Sequence, residues 1–229
     1  MTEPGVNTGW MQQAAMRCKR YWLFKMPGTM VGMALFFVVY FWLLRHPQFP
    51  VTIMPLTGLD RLIGFQPWSI GLYASLWIYI SLVPMLLEPR RELAPYLSAV
   101  TVLSLAGFVI FFFWPTAVPR PDIDWARYPS VAFLKSVDAS GNACPSLHVA
   151  FSVLTCVWLH RWLRQVRAPA FLGFINLAWC LAIIYSTLAT KQHVALDVAA
   201  GAALGSAVAV PHLYLRPRWR MLPGGLESG

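Results

Sequence analysis

An all-α membrane protein, built as a bundle of six transmembrane helices, is the fold class that the sequence predicts. Apolar residues make up 58% of the 229 positions and charged residues only 12%, and the mean hydropathy is +0.56. Apolar runs long enough to cross a bilayer recur along the chain, which is typical of membrane helices. The composition therefore indicates a polytopic membrane protein rather than a soluble domain.

Six apolar segments come close to the ~20 residues that a helical span requires. They cover residues 29–45, 69–87, 96–114, 147–163, 171–189 and 194–214. Tryptophans lie near several segment ends, the position at which aromatic side chains anchor helices at a membrane surface. These tryptophans include Trp42, Trp68, Trp114 and Trp162. We expect each segment to form one membrane-spanning helix.

The basic residues predict the orientation of these helices. The formal net charge of +9 arises from short basic clusters between apolar runs, a pattern of membrane topology rather than of nucleic-acid binding. If six helices alternate in direction, twelve of the 18 Lys and Arg fall on one side: Arg17, Lys19, Arg20, Lys25, Arg90, Arg91, Arg161, Arg164, Arg167, Arg216, Arg218 and Arg220. The positive-inside rule places that side, with both termini, in the cytoplasm. The external loops are then 46–68, 115–146 and 190–193.

This topology divides the chain into three parts. Residues 1–28 are a basic N-terminal segment, for which a helix on the membrane surface and a plain orienting flank are both open. Residues 29–214 form the six-helix membrane domain. Residues 215–229 form a cytoplasmic tail.

Unusual polar residues gather on the external side of the predicted bundle. Arg120 stands between two prolines, while Ser146 and His148 open the fourth segment. Asp197 lies one turn inside the sixth segment, where a carboxylate is costly and marks a function or a paired charge. His193 is its natural partner at i, i+4. Taken singly, the Arg, the Ser and each His have structural explanations, but their convergence on one face favours a functional site.

These residue types suit phosphoryl transfer. A neutral imidazole is a nucleophile, and a carboxylate on its other nitrogen fixes the tautomer, which gives His193 and Asp197 their predicted roles. His148 can protonate a leaving oxygen and then activate water. Arg120 can grip a phosphate with its planar fork, and the helix N-terminus at Ser146 adds backbone donors. Because the site lies at a membrane face, the expected substrate is a lipid that carries a phosphate.

The motifs resemble those of the type 2 phosphatidate phosphatase superfamily, which are Lys-x6-Arg-Pro, Pro-Ser-Gly-His and Ser-Arg-x5-His-x3-Asp. This chain has Arg120-Pro121, then Pro145-Ser146-Leu147-His148, then Ser186-Thr187-x5-His193-x3-Asp197. The resemblance implies a membrane-embedded six-helix lipid phosphatase or phosphotransferase. It also implies a phosphohistidine at His193, oriented by Asp197, with His148 as proton donor and acceptor. No metal and no cofactor are implied.

Three positions depart from the family pattern. Phe113 stands in place of the first Lys, Leu147 in place of Gly, and Thr187 in place of the last Arg. On the resemblance, phosphate oxygens would be bound by Arg120, Ser146, Lys191, Ser186 and Thr187, with Lys191 replacing a missing cation. The Pro-Ser-Leu-His form is similar to the inositol phosphorylceramide synthase branch.

Three functions remain open from the sequence. The first is a phosphohydrolase for phosphatidate, an isoprenyl diphosphate or a related lipid, with a lipid phosphotransferase of the inositol phosphorylceramide or sphingomyelin synthase type as its alternative. The second is a zinc hydrolase with His148, His193 and Asp197 as ligands. The third is a non-enzymatic lipid transporter, although transporters usually carry more intramembrane ionisable groups. The loop-poor chain favours a bacterial inner membrane, with the site on the periplasmic face.

Overall fold

The computed structural model describes residues 9–88, 92–132 and 141–214, and these ranges are helical over most of their length. The nine α-helices described are α1 (Trp10–Lys19), α2 (Trp22–Arg45), α3 (Gly58–Leu62), α4 (Ile70–Ala74), α5 (Leu76–Leu86), α6 (Ala94–Phe113), α7 (Leu147–Gln165), α8 (Ala170–Ala189) and α9 (Ala195–Tyr214). Two short strands, β1 (Thr52–Ile53) and β2 (Thr116–Ala117), pair in parallel. Short 3-10 turns occur at Pro67–Ser69 and Trp125–Arg127.

The all-α polytopic membrane fold is confirmed. Within the described residues, five helical segments are long and apolar enough to cross a membrane: Trp22–Arg45, Pro67–Leu86, Ala94–Phe113, Ala170–Ala189 and Ala195–Leu213. Each coincides with a predicted span to within a few residues at most of its ends. The first starts earlier than predicted, because its helix begins at Trp22. The division predicted at residue 28 therefore lies inside α2.

The remaining predicted span, 147–163, forms the 19-residue helix α7. It is not among the five apolar spans, so the predicted count of six does not follow from length and hydropathy alone. The sequence of α7 is less apolar because the helix is surrounded by protein: it packs against α5, α6, α8 and α9. A helix enclosed by protein can carry polar groups that a lipid-facing helix cannot. Ser152 illustrates this, because it is fully buried and its hydroxyl donates to the carbonyl of His148.

Two glycines allow α9 to pack closely on α7. A Cβ atom at Gly201 would overlap with the carbonyl oxygen of Ser146, and one at Gly205 would lie 2.5 Å from the carbonyl oxygen of Ala150. Small residues at i and i+4 let helix backbones approach in this way. The contact fixes the start of α7 against the first turns of α9.

Helix α1 lies against one end of the bundle, close to the end of α5. Arg17 forms an ion pair with Glu92 at 2.8 Å. The ammonium of Lys25 donates to the carbonyls of Arg17 and Met85, both at 2.9 Å. The N-terminal segment therefore contains a helix that is tied to α5 and to Glu92, just before α6. The predicted tail 215–229, with Arg216, Arg218 and Arg220, and the pair Arg90 and Arg91 lie outside the described residues.

The opposite end gathers the described residues of the three loops predicted to be external. Strand β1 comes from the first loop and β2 from the second. The backbone N–H of Cys144 donates to the Thr116 hydroxyl at 2.8 Å. A small apolar cluster joins the same loops to the start of α9: Met54, Val118, Ala143, Cys144 and Val194. This end is where the predicted site residues lie.

Candidate active site

His193 lies on the short turn that joins α8 to α9. Its backbone N–H donates to the carbonyl of Thr187 at 3.1 Å, which ties the turn to the last turn of α8. The side chain is buried, at 9% exposure. Among the described residues, Nδ1 of His193 has no hydrogen-bond partner. The imidazole is therefore held in place mainly through its backbone.

Asp197 lies in the first turn of α9 and is fully buried. Its Oδ2 accepts a hydrogen bond from the backbone N–H of Val194 at 3.0 Å and lies 3.6 Å from Nδ1 of His193. That separation exceeds the 2.7–3.2 Å of a hydrogen bond, and such contacts often tighten only when substrate binds. Oδ1 has no partner among the residues described. The carboxylate can therefore accept a hydrogen bond from the ring N–H of His193.

His148 lies in the first turn of α7 and is stacked on Tyr73. The two rings are 3.9 Å apart with an interplanar angle of 20°. Nε2 of His148 lies 3.1 Å from the carbonyl oxygen of Tyr73. A carbonyl oxygen can only accept, so Nε2 carries a proton. Nδ1 is consequently the nitrogen that can exchange a proton with a substrate.

Ser146 is the N-cap of α7. Its hydroxyl accepts from the backbone N–H of Val149 at 3.3 Å, as capping serines do. Its own N–H donates to the carbonyl of Asp197 at 3.0 Å. The start of α7 and the first turn of α9 are thus joined directly, which brings His148 and Asp197 into one region.

Ser186 and Thr187 lie at the end of α8 and are fully buried. Their hydroxyls donate to carbonyls of the preceding turn, those of Ile183 at 2.6 Å and Ile184 at 2.7 Å. The Thr187 carbonyl accepts N–H groups from both Gln192 and His193. These contacts shape the turn that carries the histidine.

The two predicted cations are placed differently. Lys191 has a left-handed backbone conformation, with φ of 57°, and its ammonium donates to the carbonyls of Asp60 and Ile63. Burial lowers the pKa of Lys191, and the nearby Asp60 acts in the opposite direction. Arg120 is exposed and follows Val118, which packs against Val194. Its loop is therefore anchored beside the site, while its side chain faces solvent.

Two further residues adjoin the site without having been predicted from the sequence. Tyr73 supports His148, but a tyrosine within an apolar helix carries no distinguishing sequence signal. Asp60 is 7% exposed and accepts a hydrogen bond from the backbone N–H of Ala195 at 2.8 Å. Thr57 and Asp60 have the spacing of a capping box. This is the sequence signal that could have identified Asp60.

An apolar groove of about 450 Å³ ends at the two histidines. It runs along α2 from Gly28 to Tyr40 and is bordered by α5, α6 and the start of α7. Aromatic side chains line much of it, among them Phe36, Phe37, Trp77, Phe108 and Phe151. Leu35 and Leu105 on its rim are 63% and 56% exposed, so the groove opens sideways to the lipid.

The zinc alternative takes His148, His193 and Asp197 as a possible set of ligands. Within residues 9–88, 92–132 and 141–214, no group of three or more His, Cys, Asp or Glu side chains could hold a metal ion.

Comparison with known proteins agrees with the motifs. Residues 93–221 match the family model described as the PAP2 superfamily. No curated protein and no solved structure matches the chain. The family model covers more than half of the chain and includes all of the predicted site residues. The chain therefore belongs to the PAP2 superfamily, whose members are phosphatases or phosphotransferases acting on phosphate esters.

Proposed function

We propose that this protein hydrolyses the phosphate group of a membrane lipid through a phosphohistidine at His193. The observation that carries the proposal is the apolar groove, which leads from the lipid-facing surface of the bundle to His148 and His193. A groove of this kind receives an apolar chain, and its end places the attached phosphate beside two imidazoles. Phosphatidate, isoprenyl diphosphates and related lipids all consist of a phosphate group attached to an apolar chain.

In the first step, His193 attacks phosphorus. Nδ1 faces Asp197, so the lone pair that reaches phosphorus is that of Nε2. As the N–P bond forms and the P–O bond of the leaving group breaks, Asp197 stabilises the positive charge that develops on the ring. The leaving oxygen takes a proton from Nδ1 of His148, which enters this step as the imidazolium with a proton on each ring nitrogen and leaves it with the Nε2 proton alone.

In the second step, a water molecule attacks the phosphohistidine. Nδ1 of His148, now unprotonated, accepts the proton of that water, as a general base does. The N–P bond breaks, inorganic phosphate leaves, and both histidines return to their starting state. Stacking on Tyr73 and the hydrogen bond from Nε2 keep His148 oriented throughout.

The phosphate oxygens would be bound by groups at the end of the groove. We propose Ser146 with the N-terminus of α7, Ser186 and Thr187 from α8, and the cations Arg120 and Lys191. The guanidinium of Arg120 is exposed, so it would turn inward when substrate binds. Lys191 would exchange one of its carbonyl contacts for a phosphate oxygen.

The dimensions of the groove fit one lipid chain. At ~1.5 Å per residue, the stretch of α2 from Gly28 to Tyr40 is about 18 Å long. Half of a ~30 Å hydrocarbon core is about 15 Å, which is the depth of one leaflet. The groove is therefore long enough to hold most of one lipid chain that extends from the site into the membrane.

Phosphotransfer to an alcohol is the second candidate, and Leu147 favours it. This side chain stands where the phosphatase pattern has glycine, packs against Gly107 of α6 and lines the groove. The same substitution is the feature that resembles inositol phosphorylceramide synthases. The two reactions share the phosphohistidine and differ only in whether water or an alcohol receives the phosphoryl group.

We propose that the protein resides in a bacterial inner membrane with the site on the periplasmic face. The distribution of Lys and Arg supports this orientation. It is also supported by the described residues of the three predicted external loops, which lie with His148 and His193 at one end of the bundle, whereas α1 lies at the other. A cysteine introduced at His46, which is exposed, should react with an impermeant thiol reagent added to intact cells.

Purified protein mixed with phosphate-labelled phosphatidate tests the function. We expect an acid-labile phosphohistidine in the unchanged protein, none in His193→Ala, and normal labelling in His46→Ala as a matched control. Release of inorganic phosphate supports hydrolysis, whereas label that appears in inositol phosphate when inositol is added, or in ceramide phosphate when ceramide is added, supports transfer. Loss of activity in a strong chelator would favour the zinc alternative. An unchanged phenotype in His193→Ala would favour a transporter.

A further inference from the structure

A residue of the first external loop holds the turn that carries His193 from both sides. We propose that Asp60 is a positioning residue for His193, acting through Lys191 and Ala195, the residues two positions before and two positions after it. This inference rests on the proposed function, in which His193 is the nucleophile. Asp60 lies outside residues 93–221, the part of the chain that matches the family.

On the N-terminal side of His193, the contact runs through Lys191. Its φ of 57° lies in the left-handed region, which side chains other than glycine, asparagine and aspartate seldom adopt. The carbonyl oxygen of Asp60 accepts a hydrogen bond from the Lys191 ammonium at 3.0 Å, and that of Ile63 accepts a second. The loop therefore helps to hold Lys191 in the conformation that turns the chain towards His193.

On the C-terminal side, the contact runs through Ala195, the first residue of α9. Its N–H has no partner within the helix, as is usual in a first turn, and donates to Oδ1 of Asp60 at 2.8 Å. The preceding N–H, that of Val194, donates to Asp197. Because Asp60 accepts the hydrogen bond of the Ala195 N–H, Asp197 needs to accept from only one backbone N–H, that of Val194. The carboxylate of Asp197, whose Oδ1 has no partner among the described residues and whose Oδ2 lies 3.6 Å from Nδ1 of His193, can therefore still accept the imidazole N–H.

Asp60 is itself rigid. Its Oδ2 accepts hydrogen bonds from the backbone N–H and the hydroxyl of Thr57, both at 2.7 Å. These contacts complete the capping box of α3. With 7% exposure, the carboxylate is shielded from competing water. Such a fixed acceptor can hold a turn to the tolerance that a nucleophile requires.

Rapid-quench labelling with phosphate-labelled phosphatidate tests this role, because it separates the rate constant of phosphohistidine formation from the fraction of labelled protein. We expect Asp60→Ala to lower the rate constant about 10- to 100-fold, the range that a displacement near 1 Å produces, without changing the amplitude. Asp60→Asn keeps an acceptor oxygen for Ala195 and should recover part of the rate. Asp124→Ala, which removes an exposed external carboxylate, should react like the unchanged protein.

Two results would overturn the inference. One is a wild-type rate constant in Asp60→Ala, and the other is a reduced amplitude at an unchanged rate constant, which indicates a purely structural role. If Asp60→Ala does not fold, Thr57→Val, which removes one of the two contacts to Oδ2, should still lower the rate constant severalfold, and an unchanged rate there overturns the proposal. Failure of the unchanged protein to form phosphohistidine with any lipid phosphate overturns the proposed function instead.

Discussion

Gly201 of α9 lies directly against the carbonyl oxygen of Ser146, the residue that caps α7. A backbone oxygen cannot move aside as a flexible side chain can. Gly201→Ala should therefore push α7 away from α9, separate His148 from Asp197, and destabilise the protein by about 1–3 kcal/mol, the usual range for overpacking. We expect a lower unfolding temperature in detergent and a marked loss of activity.

The matched control for this change is Gly173→Ala in α8. A Cβ atom there would meet the imidazole of His160 at 3.5 Å, which is an ordinary contact. Because alanine is the better helix former by about 1 kcal/mol, this variant should be as stable as the unchanged protein or slightly more so. Equal stability of the two variants would contradict the close approach at Gly201.

A polar network inside the bundle predicts a change in stability without a change in chemistry. The hydroxyl of Tyr79 in α5 donates to the side-chain oxygen of Asn176 in α8 at 2.6 Å, and the amide of Asn176 donates to the carbonyl of Cys156 in α7 at 2.9 Å. Tyr79→Phe removes the first bond and should lower the free energy of unfolding by about 1 kcal/mol, as such bonds do in membranes.

Unfolding in detergent measures this effect, and Tyr185→Phe is its control. Among the described residues, the Tyr185 hydroxyl has no hydrogen-bond partner, so its removal should leave stability unchanged. Because the network lies away from the groove end, phosphohistidine formation should be normal in both variants. A large loss of activity in Tyr79→Phe would show that the network also positions the site.

The helices could be predicted from sequence because lipid selects apolar runs of a set length. α7 satisfied that pattern only partly, since its neighbours rather than lipid surround it. The meeting of the two histidines and Asp197 at one end of the bundle could be predicted, because their spacing along the chain is local and alternating spans bring the loops together. Tyr73 and Asp60 were not, because their contacts join residues far apart in the chain. For Lys191, the sequence indicated a cation near the site, but its contacts with Asp60 and Ile63 depend on a loop geometry that no pattern specifies.

The predicted role of Asp197 can be separated from that of His193. Asp197→Asn preserves the shape of the side chain and can still accept from Val194, but it cannot stabilise a positive imidazole or fix its tautomer. In a hydrolase triad the equivalent change lowers turnover about 10⁴-fold, and we expect a loss of about 10³- to 10⁴-fold here. The rate of phosphohistidine formation measures it, with Asp124→Asn as the exposed control. A loss below tenfold would indicate that Asp197 serves only to cap α9.

The groove predicts selectivity for lipid chain length. Gly32 of α2 lines the groove, and a Cβ atom there would meet nothing within 4 Å, so Gly32→Leu should fill the middle of the groove without strain. A displaced chain returns to the bilayer, which is as apolar as leucine, so only packing is lost and the effect should be severalfold. We expect KM to rise for long-chain lipid phosphates and to stay constant for short-chain ones.

The matched control is Gly71→Leu in α4, where a Cβ atom also has open space but which does not line the groove. Kinetics with a series of lipid phosphates of increasing chain length, in one detergent, compare the two variants. A rise in KM for every chain length would point to a general disturbance of the bundle. Unchanged KM values for Gly32→Leu with all chains would mean that the substrate chain lies elsewhere, because a leucine in the middle of an occupied groove must compete with it.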